Sequence, residues 1–287
     1  MARILIAGCG YVGNALATMR VSRGDDVWGL RRHPVDLASG VQAIAADLAV
    51  ARSLEDLPAD LEVVVYAASP GGRDDAFYRT TYVDGLRNLL GALEKQGQRP
   101  RRVIFVSSTA VYGQTKGEWV DEDSPTEPTH FSGQRLLEAE QVLRDGPFPG
   151  VVLRLAGIYG PRRTRLIDQV RQGRATLSKG KRYTNRIHRD DCAGILDRLI
   201  DVGETDPCYV GVDHAPEEER VVLDWMAGIL GAPPPRVERV DQRKTPRGGN
   251  KRCRNTRILD AGYRFIYPTY REGYTAVLSG RAPEPSA

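Results

Sequence analysis

Three glycines spaced Gly8-x-Gly10-x-x-Gly13 follow the apolar run Ile4-Leu5-Ile6-Ala7 and precede an amphipathic segment carrying Val12, Ala15, Leu16 and Met19. Strand, tight turn and helix in that order make a seat for a pyrophosphate. Gly8 lets the chain turn off the strand, Gly10 lets backbone approach the phosphates, and Gly13 lets helix and strand pack closely. The first N–H groups of the helix, on Tyr11, Val12 and Gly13, have no partner within it and stand at the positive end of its dipole, which favours an anion. The chemistry indicated is dinucleotide binding, against the alternative of a glycine-rich turn with no ligand.

Asp26-Val27-Trp28-Gly29-Leu30 reads as the second strand, and its end decides the coenzyme. An acid there would hold a ribose 2′-hydroxyl; an arginine would hold a 2′-phosphate. The strand ends in Leu30-Arg31-Arg32, with Asp25 and Asp26 at its other end. Paired guanidiniums make charge-assisted bonds to a phosphate, so NADP is preferred over NAD. Two solvated loop arginines are the plainer reading. Val41 to Asp47 forms a third strand, whose terminal Asp47 either bonds the adenine amino group or caps a helix from Ala51. Leu61 to Ala68 is a fourth, buried strand, with Ala67 and Ala68 small enough to admit a ribose. A helical segment runs from about 74 to 95, and Arg101 to Ser108 is a fifth strand. Strands alternating with helices, and never joined by short hairpins, predict a doubly wound parallel α/β sheet with ligands beyond the C-terminal strand ends.

Gly8-x-Gly10-x-x-Gly13, Val106-Ser107-Ser108-Thr109-Ala110-Val111-Tyr112-Gly113, Leu153-Arg154-Leu155-Ala156-Gly157-Ile158-Tyr159-Gly160-Pro161 and Arg186-Ile187-His188-Arg189-Asp190-Asp191, in that order, resemble the extended short-chain dehydrogenase/reductase family. This is the NAD-dependent epimerase/dehydratase group, acting mostly on nucleotide sugars. The resemblance runs to about residue 215. It implies an NAD(P)-binding Rossmann domain over 1–160 and a smaller substrate lobe mainly within 161–280, with residues about 185–215 returning to the core. It also implies hydride transfer at a hydroxyl-bearing carbon, with Ser108 holding the substrate oxygen and Ser107 among the cofactor-binding residues.

The chain departs from the family where its Tyr-x-x-x-Lys pair belongs. The nearest equivalents are Phe131 and Arg135, and Tyr82 stands where a helical asparagine is expected. Phenylalanine has no proton to exchange, and arginine stays charged at any working pH. The chain therefore looks closest to the atypical branch of the family. His130, beside the position of the missing tyrosine, is one substitute acid or base, as histidine side chains often are, or a surface histidine before a helix. Tyr112, four residues after Ser108, is a second, or a packing residue. Ser132 is a third, or a helix N-cap.

From Arg162 to Arg189 the bases Arg162, Arg163, Arg165, Arg171, Arg174, Lys179, Lys181, Arg182, Arg186 and Arg189 face few acids, and a second basic run spans Arg236 to Arg257. In the family this is the region that binds a diphosphate, which clustered guanidiniums suit. An anionic, phosphate-bearing small-molecule substrate follows, with a solvated basic face as the alternative. The runs have little aromatic interleaving, and the net charge of +4, from 41 bases and 37 acids, is balanced, so nucleic acid is not expected as a partner. Cys9, Cys192, Cys208 and Cys253 have neither disulfide nor zinc spacing, no metal site is expected, and no run reaches membrane-spanning length. A soluble cytoplasmic protein is expected, and a homodimer is compatible with it. Asp190 or Asp191 caps a helix running to Leu199, Val221 to Leu230 is another helix, and 281–287 reads as a disordered tail. Two functions remain open: an NADP-dependent oxidoreductase or epimerase/dehydratase with a nonstandard active site, and a non-catalytic NAD(P)-binding sensor or regulator.

Overall fold

The computed structural model describes residues 1–237 and 249–280. The predicted tail at 281–287, and the part of the second basic run between 238 and 248, lie outside the described residues. The central sheet has seven parallel strands: β1 (Arg3–Ala7), β2 (Asp26–Arg31), β3 (Gln42–Ala45), β4 (Val63–Tyr66), β5 (Arg102–Ser108), β6 (Gly150–Leu155) and β7 (Cys208–Gly211). Their order is β7-β6-β5-β4-β1-β2-β3. Such strands are covered on both faces and read as unbroken apolar runs, and Ile4, Leu5, Ile6, Val63, Val64 and Val65 are all fully buried.

After β1 the chain winds outward through β2 and β3; after β4 it winds the other way. That reversal leaves a crevice beyond the ends of β1 and β4. The helices that matter here are α1 (Tyr11–Ser22), α2 (Gly85–Lys95), α3 (Phe131–Arg144) and α4 (Arg189–Asp201). Buried Arg20 of α1 pairs with Asp197 at 3.2 Å and Asp201 at 2.7 Å on α4, and with Asp25 at 2.6 Å. Asp25 also accepts from the Ala2 amide at 2.6 Å. One of the two acids before β2 is thus committed to the scaffold.

The helical segment expected over 74–95 runs from Asp75 to Lys95 and changes its winding on the way. Asp74 caps a short helix, Asp75–Tyr78, by accepting from the Phe77 amide at 3.0 Å. A wide π-type stretch, Arg79–Asp84, then leads into α2. The hydroxyl of buried Tyr66 donates to the Thr81 carbonyl there, a side-chain insertion of the kind that opens a helical ladder.

A second, smaller apolar core gathers Tyr159, Ile167, Val170, Leu177, Leu223, Met226, Tyr270 and Tyr274. It is built by the helices Arg165–Arg171, Glu219–Leu230 and Tyr270–Ser279. The last of these was not anticipated, although Thr269 and Glu272 make a capping box at its start. Strand Arg186–His188 pairs in parallel with Gly157–Tyr159 and leads into α4 of the main core. Among the described residues no helix is long and apolar enough to cross a membrane.

Candidate functional site

The three glycines prove to have different reasons for being glycine. Gly8 has φ +86°, and a Cβ there would stand 2.7 Å from the Ala67 carbonyl carbon and nearer still to Ala68. Ala67 and Ala68 thus lie directly against the turn. At Gly13 a Cβ would meet Ile6 Cγ2 at 2.9 Å and the Gly8 carbonyl at 3.0 Å, the close strand–helix approach expected. At Gly10 a Cβ would meet nothing nearer than the Gly8 carbonyl at 3.8 Å. No packed neighbour takes up the space above Gly10, which is a cradle that a Cβ would fill. Gly10 is the N-cap of α1, no side chain caps the helix, and its first turn holds no acid. The amides of Tyr11, Val12 and Gly13 are therefore left to an outside acceptor, and the residues fit a pyrophosphate.

At the end of β2, Arg31 donates to the Val35 carbonyl at 3.0 Å. Arg32 is exposed, and its guanidinium comes within 3.5 Å of a Cβ placed on Gly71. It thus lies near the loop after β4. Asp26 pairs with Arg3 at 3.6 Å, at the far end of the strand. Asp47 follows β3 and turns one carboxylate oxygen onto the Ala49 amide at 3.0 Å. The helical turn Ala51–Leu54 has Val50 at its N-cap and no side-chain cap, so Asp47 does not cap it.

Two residues proposed for the site face elsewhere. Ser107 is 4% exposed and donates to Glu140 at 2.7 Å. Glu140 also takes Arg154 through Nε at 3.1 Å and Nη2 at 2.7 Å, and Arg154 donates to the Tyr112 hydroxyl at 3.0 Å. Burial pushes the Tyr112 phenol up, against the pull of Arg154. Alternating residues of β5 point to opposite faces. Ser107 and Tyr112 belong to one buried network with Glu140 and Arg154.

Ser108 is half-buried at the C-terminal end of β5, its Oγ accepting from the Ala110 amide at 3.2 Å. The start of α3 lies against the turn after it, where a Cβ on Gly133 would stand 2.5 Å from Pro128 Cβ and closer to the Ala110 carbonyl. His130, not Ser132, is the N-cap of α3: its Nδ1 accepts from the Ser132 amide at 3.2 Å and lies 2.8 Å from Ser132 Oγ. An accepting Nδ1 places the neutral ring's proton on Nε2. His188 does the same for α4, accepting from the Asp190 amide at 3.2 Å, so neither Asp190 nor Asp191 is that cap. Asp191 instead accepts from Tyr263, Ile266 and Tyr267, and burial pushes its carboxyl up to about 6.

Phe131 packs edge-on to Tyr78, centroids 5.4 Å apart, and Tyr78 packs on Tyr82 at 5.5 Å. Arg135 makes a bidentate pair with Asp75, both bonds 2.8 Å, and bonds Glu138 at 2.7 Å. Beyond β6 lies a cleft of about 1100 Å³ lined by Arg162, Arg163, Arg165, Arg174 and Arg186, with Arg73 arriving from the loop after β4. Other bases of the run have local partners: Arg171 with Asp168, Lys181 with Glu218, Arg189 with Asp190.

A model of the NAD dependent epimerase/dehydratase family matches residues 4–209. The chain belongs to that family. The structure of a Methylobacillus flagellatus protein assigned to the NAD-dependent epimerases/dehydratases is 38% identical, with a TM-score of 0.80 over 97% of this chain and 98% of that one. Two more distant structures share the fold. Thermus thermophilus UDP-glucose 4-epimerase, in complex with NAD, is 20% identical with TM-score 0.80 over 97% of this chain and 98% of that one. Human epimerase family protein SDR39U1, with NADPH, is 19% identical with TM-score 0.81 over 97% of this chain and 100% of that one. At the start of α3 stands Phe131, and Arg135, one turn on, is paired with Asp75. Sequence reading missed Tyr78, Arg73 and the Glu140–Arg154 pair. Tyr78 had a signal, its i,i+4 spacing to Tyr82; the others come from distant segments.

Proposed function

We propose that the chain binds NADP at the Gly8–Gly13 turn and acts as an epimerase- or dehydratase-like oxidoreductase on a nucleotide sugar or related phosphate-bearing substrate. The observation that carries this reading is Gly10: glycine stands where the fold leaves room for a side chain, above an uncapped helix N-terminus. Arg31 and Arg32, with no carboxylate paired to them among the described residues, support the 2′-phosphate form. Arg162, Arg163, Arg165, Arg174 and Arg186 suit a diphosphate, and the smaller core is then the substrate lobe.

When bound, the nicotinamide supplies a hydride acceptor and donor. Ser108 orients the substrate hydroxyl from the end of β5. His130, its Nδ1 accepting at the start of α3, carries its proton on Nε2 and can donate a hydrogen bond from there to a substrate oxygen, the proton of the hydroxyl passing to water. The side chain of Arg135 is held by Asp75 and Glu138 and takes no part.

The second reading, a dinucleotide-binding sensor without turnover, is favoured by Phe131 and by the Arg135–Asp75 lock. Deuteride transfer separates the two. NADPH deuterated at C4 is incubated with the protein and a panel of keto nucleotide sugars, whose carbonyl carbon can take the deuteride, and the sugars are analysed by mass spectrometry. Label in a sugar supports the enzyme. No label in any sugar, with NADPH bound, supports the sensor.

A further inference from the structure

Tyr11 stands between the two parts of the site. Its backbone belongs to the first turn of α1, and its hydroxyl donates to the Pro161 carbonyl at 2.7 Å, 150 residues away in sequence. The Arg163 guanidinium lies over its ring at 4.3 Å and that of Arg189 at 5.4 Å. The loop it touches is tightly specified. Gly160 has φ +142°, and a Cβ there would stand 2.9 Å from the Tyr11 hydroxyl. Gly160 pairs with Arg163 across the turn, and Arg162 between them is held at φ +66°, in the left-handed region that a side chain enters at a cost of about 1–3 kcal/mol. Arg162 and Arg163 both line the arginine cleft. One aromatic ring thus rests on the turn that would hold the pyrophosphate and supports the strained loop that aims two arginines at the substrate.

We infer that Tyr11 is a positioning residue that couples the sites: an anion drawing on Arg163 in the cleft and a dinucleotide at the glycine turn both bear on the Tyr11–Pro161–Arg163 contact, so each raises the affinity for the other. The Arg163 guanidinium that would meet the anion lies on the Tyr11 ring, and the Tyr11 backbone begins the helix turn that would meet the pyrophosphate, so the second ligand meets a site aligned by the first. Coupling of this kind is reciprocal, the same factor being seen from either side. The inference rests on the NADP-binding reading above.

Calorimetric titrations with NADPH and with uridine diphosphate, each alone and in the presence of the other at saturation, test it. The wild-type chain is expected to bind each about 5- to 10-fold more tightly when the other is present. In Tyr11→Phe, which keeps the ring but drops the Pro161 bond, the factor falls by about threefold or more; in Arg163→Ala it falls too. A merely structural defect lowers both affinities and leaves the factor where it was, so thermal melts of each variant accompany the titrations. A wild-type factor of one with both ligands bound overturns the coupling and leaves the NADP reading standing. So does a Tyr11→Phe factor equal to wild type. Unlimited weakening of NADPH by uridine diphosphate, the mark of competition for one seat, overturns it as well. Failure of the wild-type chain to bind NADPH at all sinks the NADP reading and the coupling with it.

Discussion

Gly10→Ala and Gly8→Ala have opposite expected outcomes, because the two glycines are needed for different things. A Cβ on Gly10 meets only the Gly8 carbonyl, at 3.8 Å. Replacing glycine by alanine at a helix N-cap removes up to about 1 kcal/mol of stability, which in a chain of this size lowers the melting midpoint by about 2–4 °C. The same methyl group stands where phosphate oxygens would approach the backbone. Losing one charge-assisted hydrogen bond there weakens binding by about 1.5–3 kcal/mol, or about 10- to 100-fold. At Gly8 the methyl would overlap Ala67 and Ala68 in a backbone with φ +86°. Steric and backbone strain together remove about 3 kcal/mol or more. Calorimetric NADPH titration with a thermal melt on each variant reads both quantities. Gly10→Ala binding NADPH as tightly as wild type, or melting as early as Gly8→Ala, would refute the assignment of Gly10 to the ligand.

Glu140→Gln leaves Arg154 buried with a weakened partner and is expected to remove about 3–5 kcal/mol, read as a lower urea midpoint; an unchanged midpoint would mean the network contributes nothing. Asp213 is 1% exposed, with Oδ2 unpartnered, and burial pushes its carboxyl up to about 7, Arg186 opposing and Asp191 and Glu272 adding to the rise. The folded state then holds a proton that the unfolded chain releases near its usual value of about 4. Its contribution is full below that value and is lost as pH rises to about 7, with a slope approaching 1.4 kcal/mol per pH unit. Asp213→Asn should lack this slope and exceed wild type in stability at pH 8; urea melts that run parallel from pH 5 to 8 would count against it. Ser108→Ala should lower deuteride transfer by about 100-fold or more while sparing NADPH affinity, and equal losses in both would remove Ser108 from the chemistry.

The glycine turn and the alternation of strands were legible because both are local: a few neighbouring residues fix each. The β strands came out within a few residues, with β3 and β4 shorter at their ends than the apolar runs suggested. The helix caps misled because serine and aspartate are the usual cap residues, whereas His130 and His188 take that place through Nδ1 and leave Ser132, Asp190 and Asp191 to other work. The fate of Ser107 and Tyr112 was hidden because it depends on Glu140 and Arg154, which meet them only across the sheet. The Tyr11–Pro161 contact and the arrival of Arg73 at the arginine cleft are likewise products of folding, with no pattern along the chain. The helix Tyr270–Ser279 did carry a signal, the Thr269-x-x-Glu272 box, and it was overlooked.

Titration of the purified wild-type chain with NADPH and with NADH, side by side in one buffer, tests the central claim most directly. Saturable binding of both, with NADPH at least about tenfold tighter, is the predicted result: a 2′-phosphate held by Arg31 and Arg32 is a charge-assisted contact that NADH lacks. Tighter NADH would contradict the part given to those arginines, and binding of neither would contradict the dinucleotide site itself.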